Sequence, residues 1–303
     1  GCGEREKRLY FSDRYFEEQS NDIEKLEIEA PQALTEEQNL AKEKYGSLKK
    51  GSVLLLWGVT GSGKTEVYLQ IAALELSAGR HCLILTPEIG LVPQLVDRFK
   101  KRFGSNVFEY HSNCSLQERF ETWKISLEAT QPSVFIGTRS AIFLPLSNLG
   151  LIVLDEEHDN SYKQESPMPC YHARDLAIHR AKKTGAKVIL GTATPSLNVW
   201  KNIEPKGNIV LARLNRRISN RQLPVINVVD MREELAIGNR SLISRYLKRQ
   251  LLDLKKSGNQ AIILVPRRGY SSFLSCRSCG EVVQCPYCDI SLTVHRSKEG
   301  NQW

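Results

Sequence analysis

VLLLWGVTGSGKT, residues 53–65, is an apolar run that enters a GxxxxGK[ST] loop. In such a loop the glycines let backbone N–H groups approach phosphate oxygens, the lysine reaches the β- and γ-phosphates, and the last hydroxyl ligates Mg²⁺. A helix predicted from Glu66 to Ser77 adds the positive end of its dipole. The pattern predicts a nucleoside triphosphate site, and the alternative is a chance match without nucleotide binding. The predicted triphosphate-binding residues are Gly58, Val59, Thr60, Gly61, Ser62, Gly63, Lys64 and Thr65.

Short apolar runs alternate with helical stretches from Leu34 to about Leu211. This alternation predicts an α/β domain with a parallel sheet and helices on both faces. The predicted strands are Val53–Trp57, Leu83–Thr86, Val107–Tyr110, Val134–Ile136, Leu151–Leu154 and Val188–Leu190. Beyond Arg213 the pattern predicts strand Val225–Val229, helix Ile243–Lys256 and strand Ala261–Val265, which is too little for a complete second α/β domain.

Acidic residues follow one of these strands directly, in Asp155-Glu156-Glu157-His158. Because ligands of parallel sheets bind at the carboxyl edge, Asp155 is predicted to hold Mg²⁺ together with Thr65, and Glu156 to orient and deprotonate the attacking water. An acidic loop that only caps the next segment is the alternative. No N-K-x-D guanine motif and no L-S-G-G-Q transporter signature is present, whereas a small-molecule kinase stays open. The hydroxyl-rich turn with Thr192 and Thr194 argues against it, because it suits coupling of nucleotide state to a second ligand.

Composition adds limits on the class of protein. With 303 residues and 41% hydrophobic content, the chain can form one large or two ordinary domains. Residues 211–303 hold sixteen Lys and Arg against seven Asp and Glu, which favours nucleic-acid phosphates or simply a solvated basic surface. No apolar run nears the roughly 18 residues of a membrane span, and no signal peptide is evident. A soluble, intracellular protein without a membrane partner is expected.

The cysteines are unevenly placed. Cys82 lies in an apolar strand and is predicted to be a core residue. Two CxxC pairs stand five residues apart, and without a secretory signal they suggest zinc rather than disulfides. The predicted zinc ligands are Cys276, Cys279, Cys285 and Cys288.

Longer motifs carry a resemblance to a known family. They are TPEIGL (86–91), GTRSA (137–141), DEEHD (155–159), SYKQ (161–164), YHARD (171–175), GTATPS (191–196) and RRGY (267–270). Together with the phosphate loop they resemble helicase superfamily 2, and more narrowly the PriA family of bacterial replication-restart helicases. The resemblance covers about residue 31 to the end.

The resemblance implies an ATP-dependent 3′→5′ DNA helicase that acts at stalled or repaired forks and couples Mg²⁺-ATP hydrolysis to translocation. It implies single-stranded and forked DNA, other primosome proteins and single-stranded DNA-binding protein as partners, in the bacterial cytoplasm at the nucleoid. Lys64, Asp155 and Glu156 would be the catalytic residues. A zinc insertion of the family uses eight cysteines for two Zn²⁺ ions, of which this chain holds the early pairs.

Further roles come from matching positions. Gln38 is the candidate adenine contact upstream of the phosphate loop. Tyr162, Tyr171 and His172 are candidates for stacking on bases in an aromatic-rich loop, with Lys163 and Arg174 on phosphates; packing of the tyrosines within their own domain is the alternative. The residues implied in DNA contact or coupling are Thr86, Pro87, Thr138, Arg139, Tyr162, Lys163, Tyr171, Arg174, Thr192, Thr194, Arg267 and Arg268.

The predicted organisation is a linker or remnant over 1–30, a RecA-like ATP-binding first lobe over 31–211, the start of a second lobe over 212–270 and a partial cysteine-rich zinc region over 271–303. The family's N-terminal DNA-binding domain and later second-lobe motifs are not seen, so a fragment is expected that binds ATP but hydrolyses it poorly. Val265-Pro266 before Arg267 departs from the asparagine expected there. The alternatives are a translocase that does not separate strands and an ATP-binding adaptor without catalysis.

Overall fold

The computed structural model describes residues 29–203, 208–218, 224–264, 281–282, 284–286, 295–297 and 300–302. The chain divides into two units, residues 1–222 and residues 223–303. The first unit contains a parallel sheet of seven strands. None of the helices in the described ranges is long and apolar enough to cross a membrane.

The strands of this sheet are β1 Val53–Gly58, β2 His81–Leu85, β3 Val107–Tyr110, β4 Val134–Gly137, β5 Leu149–Asp155, β8 Lys187–Thr192 and β9 Ile209–Leu214. A separate antiparallel pair is formed by β6 Lys163–Gln164 and β7 Tyr171–His172. In the sheet the strands lie in the order β3-β4-β2-β5-β8-β1-β9, and every neighbouring pair is parallel. The helices are α1 Glu36–Ser47, α2 Lys64–Ser77, α3 Val92–Phe103, α4 Leu116–Glu128, α5 Ala173–Thr184 and α6 Leu197–Trp200, with 3₁₀ turns Ile89–Leu91, Arg139–Phe143 and Asn160–Tyr162.

Two hydrophobic cores cover the two faces of this sheet. Alternate residues of β1 separate onto them: Leu54 and Leu56 join the core under α1, α2 and α3, whereas Val53 and Leu55 join the core under α5. The separation follows from the period-two geometry of a strand, and burial on both faces explains why these strands are apolar throughout. The predicted α/β class, parallel sheet and helices on both faces are confirmed, and Cys82 is a fully buried core residue of β2 as predicted.

Strand β9 was not predicted. Its register pairs it with β1 along the whole length of that strand, from Val53 opposite Ile209 to Gly58 opposite Leu214. It therefore extends the first unit's sheet three residues past residue 211, where the sequence pattern places the end of the first lobe.

The second unit contains helices α7 Met231–Ala236 and α8 Arg245–Lys256 and a hairpin of β10 His295–Ser297 with β11 Gly300–Gln302. Helix α8 confirms the helix predicted over 243–256 and begins after Ser244, whose hydroxyl caps the Leu247 N–H. The predicted strands over 225–229 and 261–265 are wrong for residues 225–229 and 261–264, which take no strand conformation; Val265 lies outside the described residues. A strand needs a neighbouring strand to pair with its backbone groups. Val228 is 91% exposed, so it is neither packed nor covered in the way that a paired strand of a sheet would be.

Candidate nucleotide-binding site

The phosphate loop joins the carboxyl end of β1 to the start of α2. Gly63 precedes the helix with a φ of 78°, in the left-handed region, and a Cβ there would lie 2.5 Å from both Gln38 Nε2 and Ile218 Cδ1. Only glycine fits both conditions. No side chain caps the first turn of α2, so N–H groups at the start of this helix remain available on the side of the loop. This arrangement is a preformed anion site at a helix N-terminus.

Gln38 supports the loop from behind. Its side-chain nitrogen donates to Ser62 O at 2.9 Å and Gly63 O at 3.4 Å, while its oxygen accepts from the Thr35 N–H at 2.9 Å as part of a capping box on α1. Gln38 is 2% exposed. The described contacts of Gln38 are thus with the loop backbone, and contact with a base stays a prediction.

The acidic side of the site lies at the end of β5, two strands from β1. Asp155 Oδ1 accepts a hydrogen bond from the Tyr68 hydroxyl at 2.9 Å, which ties α2 to β5. Burial raises the pKa of Asp155 above its usual value, and the hydrogen bond from Tyr68 opposes that rise in part. A cation beside Asp155 would lower the pKa again, so the carboxylate and a metal ion stabilise each other here.

Glu156 faces the lysine of the phosphate loop. Its φ of 49° lies in the left-handed region, which costs a residue with a Cβ about 1–2 kcal/mol. That strained turn aims Oε1 to 3.5 Å from Lys64 Nζ, and Oε2 lies 3.7 Å from His158 Nδ1. His158 Nδ1 is also 2.8 Å from the hydroxyl of buried Thr192, which accepts the Thr194 N–H at 3.0 Å. One chain of contacts thus connects the loop lysine to the hydroxyl-rich turn after β8.

The phosphate loop and the two acidic residues at the end of β5 border a cavity of about 550 Å³. Of the predicted residues, Asp155 and Glu156 line it, as do loop residues 60–65, while Gly58 is buried beneath. Three cations of α3 that the motifs did not single out also line it: Arg98, Lys101 and Arg102. Arg102 is held in place by Glu66 Oε1 at 2.9 Å. The concentration of Lys and Arg in the last turn of α3 was the available signal.

The residues present fit a triphosphate and its metal ion. The Ser62 hydroxyl is buried with no hydrogen-bond partner in the described structure, a group that a phosphate oxygen would satisfy. Thr65 and Asp155 face the same cavity and offer the hard oxygen ligands that Mg²⁺ prefers.

The segments implied in DNA contact lie at the carboxyl edge of the same sheet. Thr86, directly after β2, is buried and donates its N–H to Gly137 O at 2.9 Å, and Pro87 beside it is half-buried. Thr138 and Arg139 follow β4. The Arg139 guanidinium donates to Lys163 O at 2.8 Å, which connects two of these segments.

Two residues of the aromatic-rich loop are buried in the structure and do not have the exposure that a DNA contact requires. Tyr162 is fully buried, and its hydroxyl lies 2.9 Å from Leu85 O and 2.7 Å from Asp155 O, so it cannot stack on a base. Arg174 is buried too, and its guanidinium donates to Glu157 Oε2 at 3.2 Å rather than facing a phosphate. Packing within the domain, the alternative for the tyrosine, is correct.

The remaining loop residues stay accessible. Lys163 is exposed beside Glu165, and Tyr171 and His172 are half-buried. The guanidinium carbon of Arg139 lies over the Tyr171 ring, 5.7 Å from the ring centroid. Predicted contacts at Arg267 and Arg268 lie outside the described residues, as do Cys276, Cys279 and Cys288 of the zinc set; Cys285 is described and half-buried.

Comparison with known proteins gives independent information. A family model described as DEAD/DEAH box helicase matches residues 38–203. The chain is 50% identical over 275 residues to a replication restart protein PriA of Synechocystis sp., covering 88% of the chain and 33% of the relative. It is 47% identical over 269 residues to that of Bacillus subtilis, again covering 88% and 33%. The chain therefore spans about a third of the length of these curated relatives. Among solved structures, the Hef helicase domain of Pyrococcus furiosus is 21% identical with a TM-score of 0.46, covering 73% of this chain and 47% of that one.

Proposed function

The chain belongs to the DEAD/DEAH box helicase family, and on that premise we propose that the cavity between α2 and β5 is an ATP hydrolysis site that drives a DNA helicase. The observation that supports this proposal best is the approach of Lys64 Nζ to Glu156 Oε1, at 3.5 Å. Lys64 follows β1 and Glu156 follows β5, so this approach brings the phosphate-loop cation next to the candidate base although their strands are separated by β8.

Each side chain has a role in this proposal. When bound, ATP and Mg²⁺ supply the phosphoryl group and neutralise charge on the phosphate oxygens. Lys64 faces the developing charge on the γ-phosphate, and the N–H groups of α2's first turn hold the neighbouring oxygens. Thr65 and Asp155 hold the metal ion. Glu156 accepts the proton of the attacking water, and its strained backbone keeps that carboxylate aimed into the cavity.

The intact protein would be a 3′→5′ helicase of the replication-restart type, by similarity to the PriA relatives. Single-stranded and forked DNA would bind along the carboxyl edge of the sheet, where the partly exposed Pro87, Thr138 and Arg139 lie; Thr86, 1% exposed, would position this edge from beneath. Other primosome proteins and single-stranded DNA-binding protein are the proposed protein partners, and the zinc ligands would be the four clustered cysteines.

We propose that the chain by itself binds ATP and hydrolyses it slowly. The family resemblance assigns an arginine that stabilises the transition state to later second-lobe motifs, and such an arginine is worth about 10³–10⁵-fold in rate. ATP hydrolysis should be measured for the 303-residue chain and for a longer version of the protein, each with and without forked DNA. DNA-stimulated turnover in the longer version alone is expected. Equal turnover in the 303-residue chain and in the longer version would show that no arginine outside these 303 residues is needed, and would contradict this proposal.

Variants test the site itself in the longer version. Glu156→Gln should retain ATP binding with turnover reduced at least ~100-fold, because general-base catalysis contributes about 10²–10⁴-fold. Lys64→Ala should abolish turnover and weaken ATP binding without unfolding the protein. Glu128→Gln, at an exposed carboxylate at the end of α4 that does not line the cavity, is the control and should behave as the parent. Normal turnover in Glu156→Gln would assign the base to another residue.

Strand displacement separates the helicase from its alternatives. Unwinding of a DNA fork with a 3′ single-stranded tail, but not of the matching RNA fork, is expected. ATP-dependent movement without unwinding would support a translocase. ATP binding with no DNA-stimulated turnover in the longer version would support an adaptor.

A further inference from the structure

Three side chains of different chemistry converge at the carboxyl end of β3 and in the turn that follows it, outside the lining of the nucleotide cavity. They are the carboxylate of Glu109, the imidazole of His111 and the thiol of Cys114, and one potential ligand atom of each lies within 4.8 Å of the others. His111 Nε2 is common to both close approaches, at 3.6 Å from Cys114 Sγ and 3.8 Å from Glu109 Oε2. Carboxylate, imidazole and thiol together form a set of metal ligands.

We propose that Glu109, His111 and Cys114 form a transition-metal site, selective for Zn²⁺ or a similar divalent ion, with a water as the fourth ligand. A tetrahedron built on Zn–N, Zn–S and Zn–O distances of about 2.05, 2.3 and 2.1 Å has S···N and N···O edges of about 3.6 and 3.4 Å. The observed edges of 3.6 and 3.8 Å are close to these values. Cys114 Sγ is also 3.5 Å from His111 Nδ1, so the sulfur lies beside the ring, and the imidazole must turn for Nε2 to face the ion.

Local structure holds the three residues before any ion binds. Glu109 is part of β3, and its carbonyl accepts the Thr122 hydroxyl of α4 at 3.3 Å. The Cys114 N–H donates to His111 O at 3.2 Å, closing the turn between β3 and α4. Cys114 also directly precedes Ser115, whose capping box with Glu118 fixes the start of α4. A site held at both ends in this way loses little chain entropy when it binds a metal ion.

The ligand chemistry selects the kind of ion. Thiolate and imidazole suit Zn²⁺ or Co²⁺, whereas Mg²⁺ and Ca²⁺ prefer oxygen ligands. The Mg²⁺ of a nucleotide would therefore not compete. His111 is 8% exposed, while the Glu109 side chain is 48% exposed, so water can reach the fourth position from that side. Ionised Glu109 and Cys114 with neutral His111 would balance the charge of a divalent ion.

Cobalt absorption tests the proposal, because thiolate-to-Co²⁺ charge transfer reports a bound sulfur. Cys276, Cys279, Cys285 and Cys288 are first changed to serine in the full chain, which removes the other candidate thiolates. This background protein should bind one equivalent of Co²⁺ with the absorption of a single thiolate. Adding Cys114→Ser should remove that absorption. Adding His111→Asn or Glu109→Gln should weaken binding by more than ~100-fold, since even the loss of a residue that only hydrogen-bonds to a metal ligand costs about 10–100-fold.

Cys170→Ser and His179→Asn are the matched controls, an exposed cysteine and an exposed histidine of the same unit, and should leave Co²⁺ binding unchanged. If the four-serine background does not fold, the same comparison is made by Zn²⁺ equilibrium dialysis of the unaltered chain against its Cys114→Ser variant, with a loss of one equivalent expected. Equal metal content and equal cobalt absorption with and without Cys114 would overturn the proposal.

Discussion

Breaking the buried pair of Glu157 and Arg174 should strongly destabilise the first unit. Glu157 is fully buried, and the Arg174 side chain, 8% exposed, donates to it at 3.2 Å. Removing one partner of such a pair costs about 3–5 kcal/mol, because the other charge stays buried without compensation. Glu157 keeps two donors from Ser196, its N–H at 2.7 Å and its hydroxyl at 3.1 Å. The loss in Arg174→Met is therefore expected near the lower value, about 3 kcal/mol.

Thermal and denaturant unfolding followed by tryptophan fluorescence measure this loss, since Trp57, Trp123 and Trp200 all belong to the first unit. About 3 kcal/mol corresponds to a fall in Tm of roughly 6–12 °C for a unit of this size. The double variant Glu157→Leu with Arg174→Met should recover most of the stability, because an apolar pair leaves no buried charge.

Lys163→Met, at an exposed lysine of the same loop, is the control and should change the free energy of unfolding by less than ~0.5 kcal/mol. If Arg174→Met unfolds at the same temperature as the parent, Arg174 does not compensate Glu157, and its assignment to phosphate contact regains support.

Two further predictions use pH. Tyr68→Phe removes the hydrogen bond that opposes the raised pKa of Asp155, so the carboxyl stays protonated to higher pH. The pH below which Mg²⁺-dependent ATP binding is lost should therefore be higher in this variant than in the parent. Titrations with a fluorescent ATP analogue that show the same pH dependence in both proteins would contradict this. Burial lowers the pKa of His81 below its ordinary 6.5, so as the pH falls this residue takes up a proton more readily in the unfolded chain than in the folded one. The free energy of unfolding should therefore decrease as pH falls below about 6.5. Urea unfolding at pH 7.5 and 5.5 should show a smaller decrease in His81→Asn, whereas His179→Asn, at an exposed histidine, should match the parent.

The sheet could be predicted from the sequence because its strands are buried on both faces. An apolar run such as Leu151–Leu154 has one satisfactory environment, the middle of a parallel sheet, and the structure places it there. The run over 225–229 has a similar composition and stays exposed, since composition does not specify a pairing partner. Strand β9 shows the converse: its pairing with β1 is non-local, and its polar Arg213 interrupts the apolar pattern.

The candidate site, like the fold, could be predicted from the sequence only in part. The phosphate loop and the acidic pair could be predicted because phosphate and Mg²⁺ chemistry demands those residue types at fixed spacing. The support of Gly63 by Gln38 and of Arg102 by Glu66 could not, because each joins residues that are distant in sequence. Glu109, His111 and Cys114 were overlooked as ligands since their spacing matches no common metal motif.

The burial of Tyr162 changes the role that this residue would have in the proposed coupling of DNA binding to the nucleotide. Its hydroxyl contacts Leu85 O and Asp155 O, the backbone ends of the neighbouring strands β2 and β5. Thr86, the first residue implied in DNA contact, follows Leu85, and Asp155 is the proposed metal ligand. One hydroxyl carries a single proton and cannot fully satisfy both carbonyls, so a shift of either strand end changes the balance at the other. Tyr162 therefore joins the backbone ends of β2 and β5 from inside the domain, and the proposed coupling of DNA binding to the nucleotide would run through these backbone contacts rather than through a stacked base.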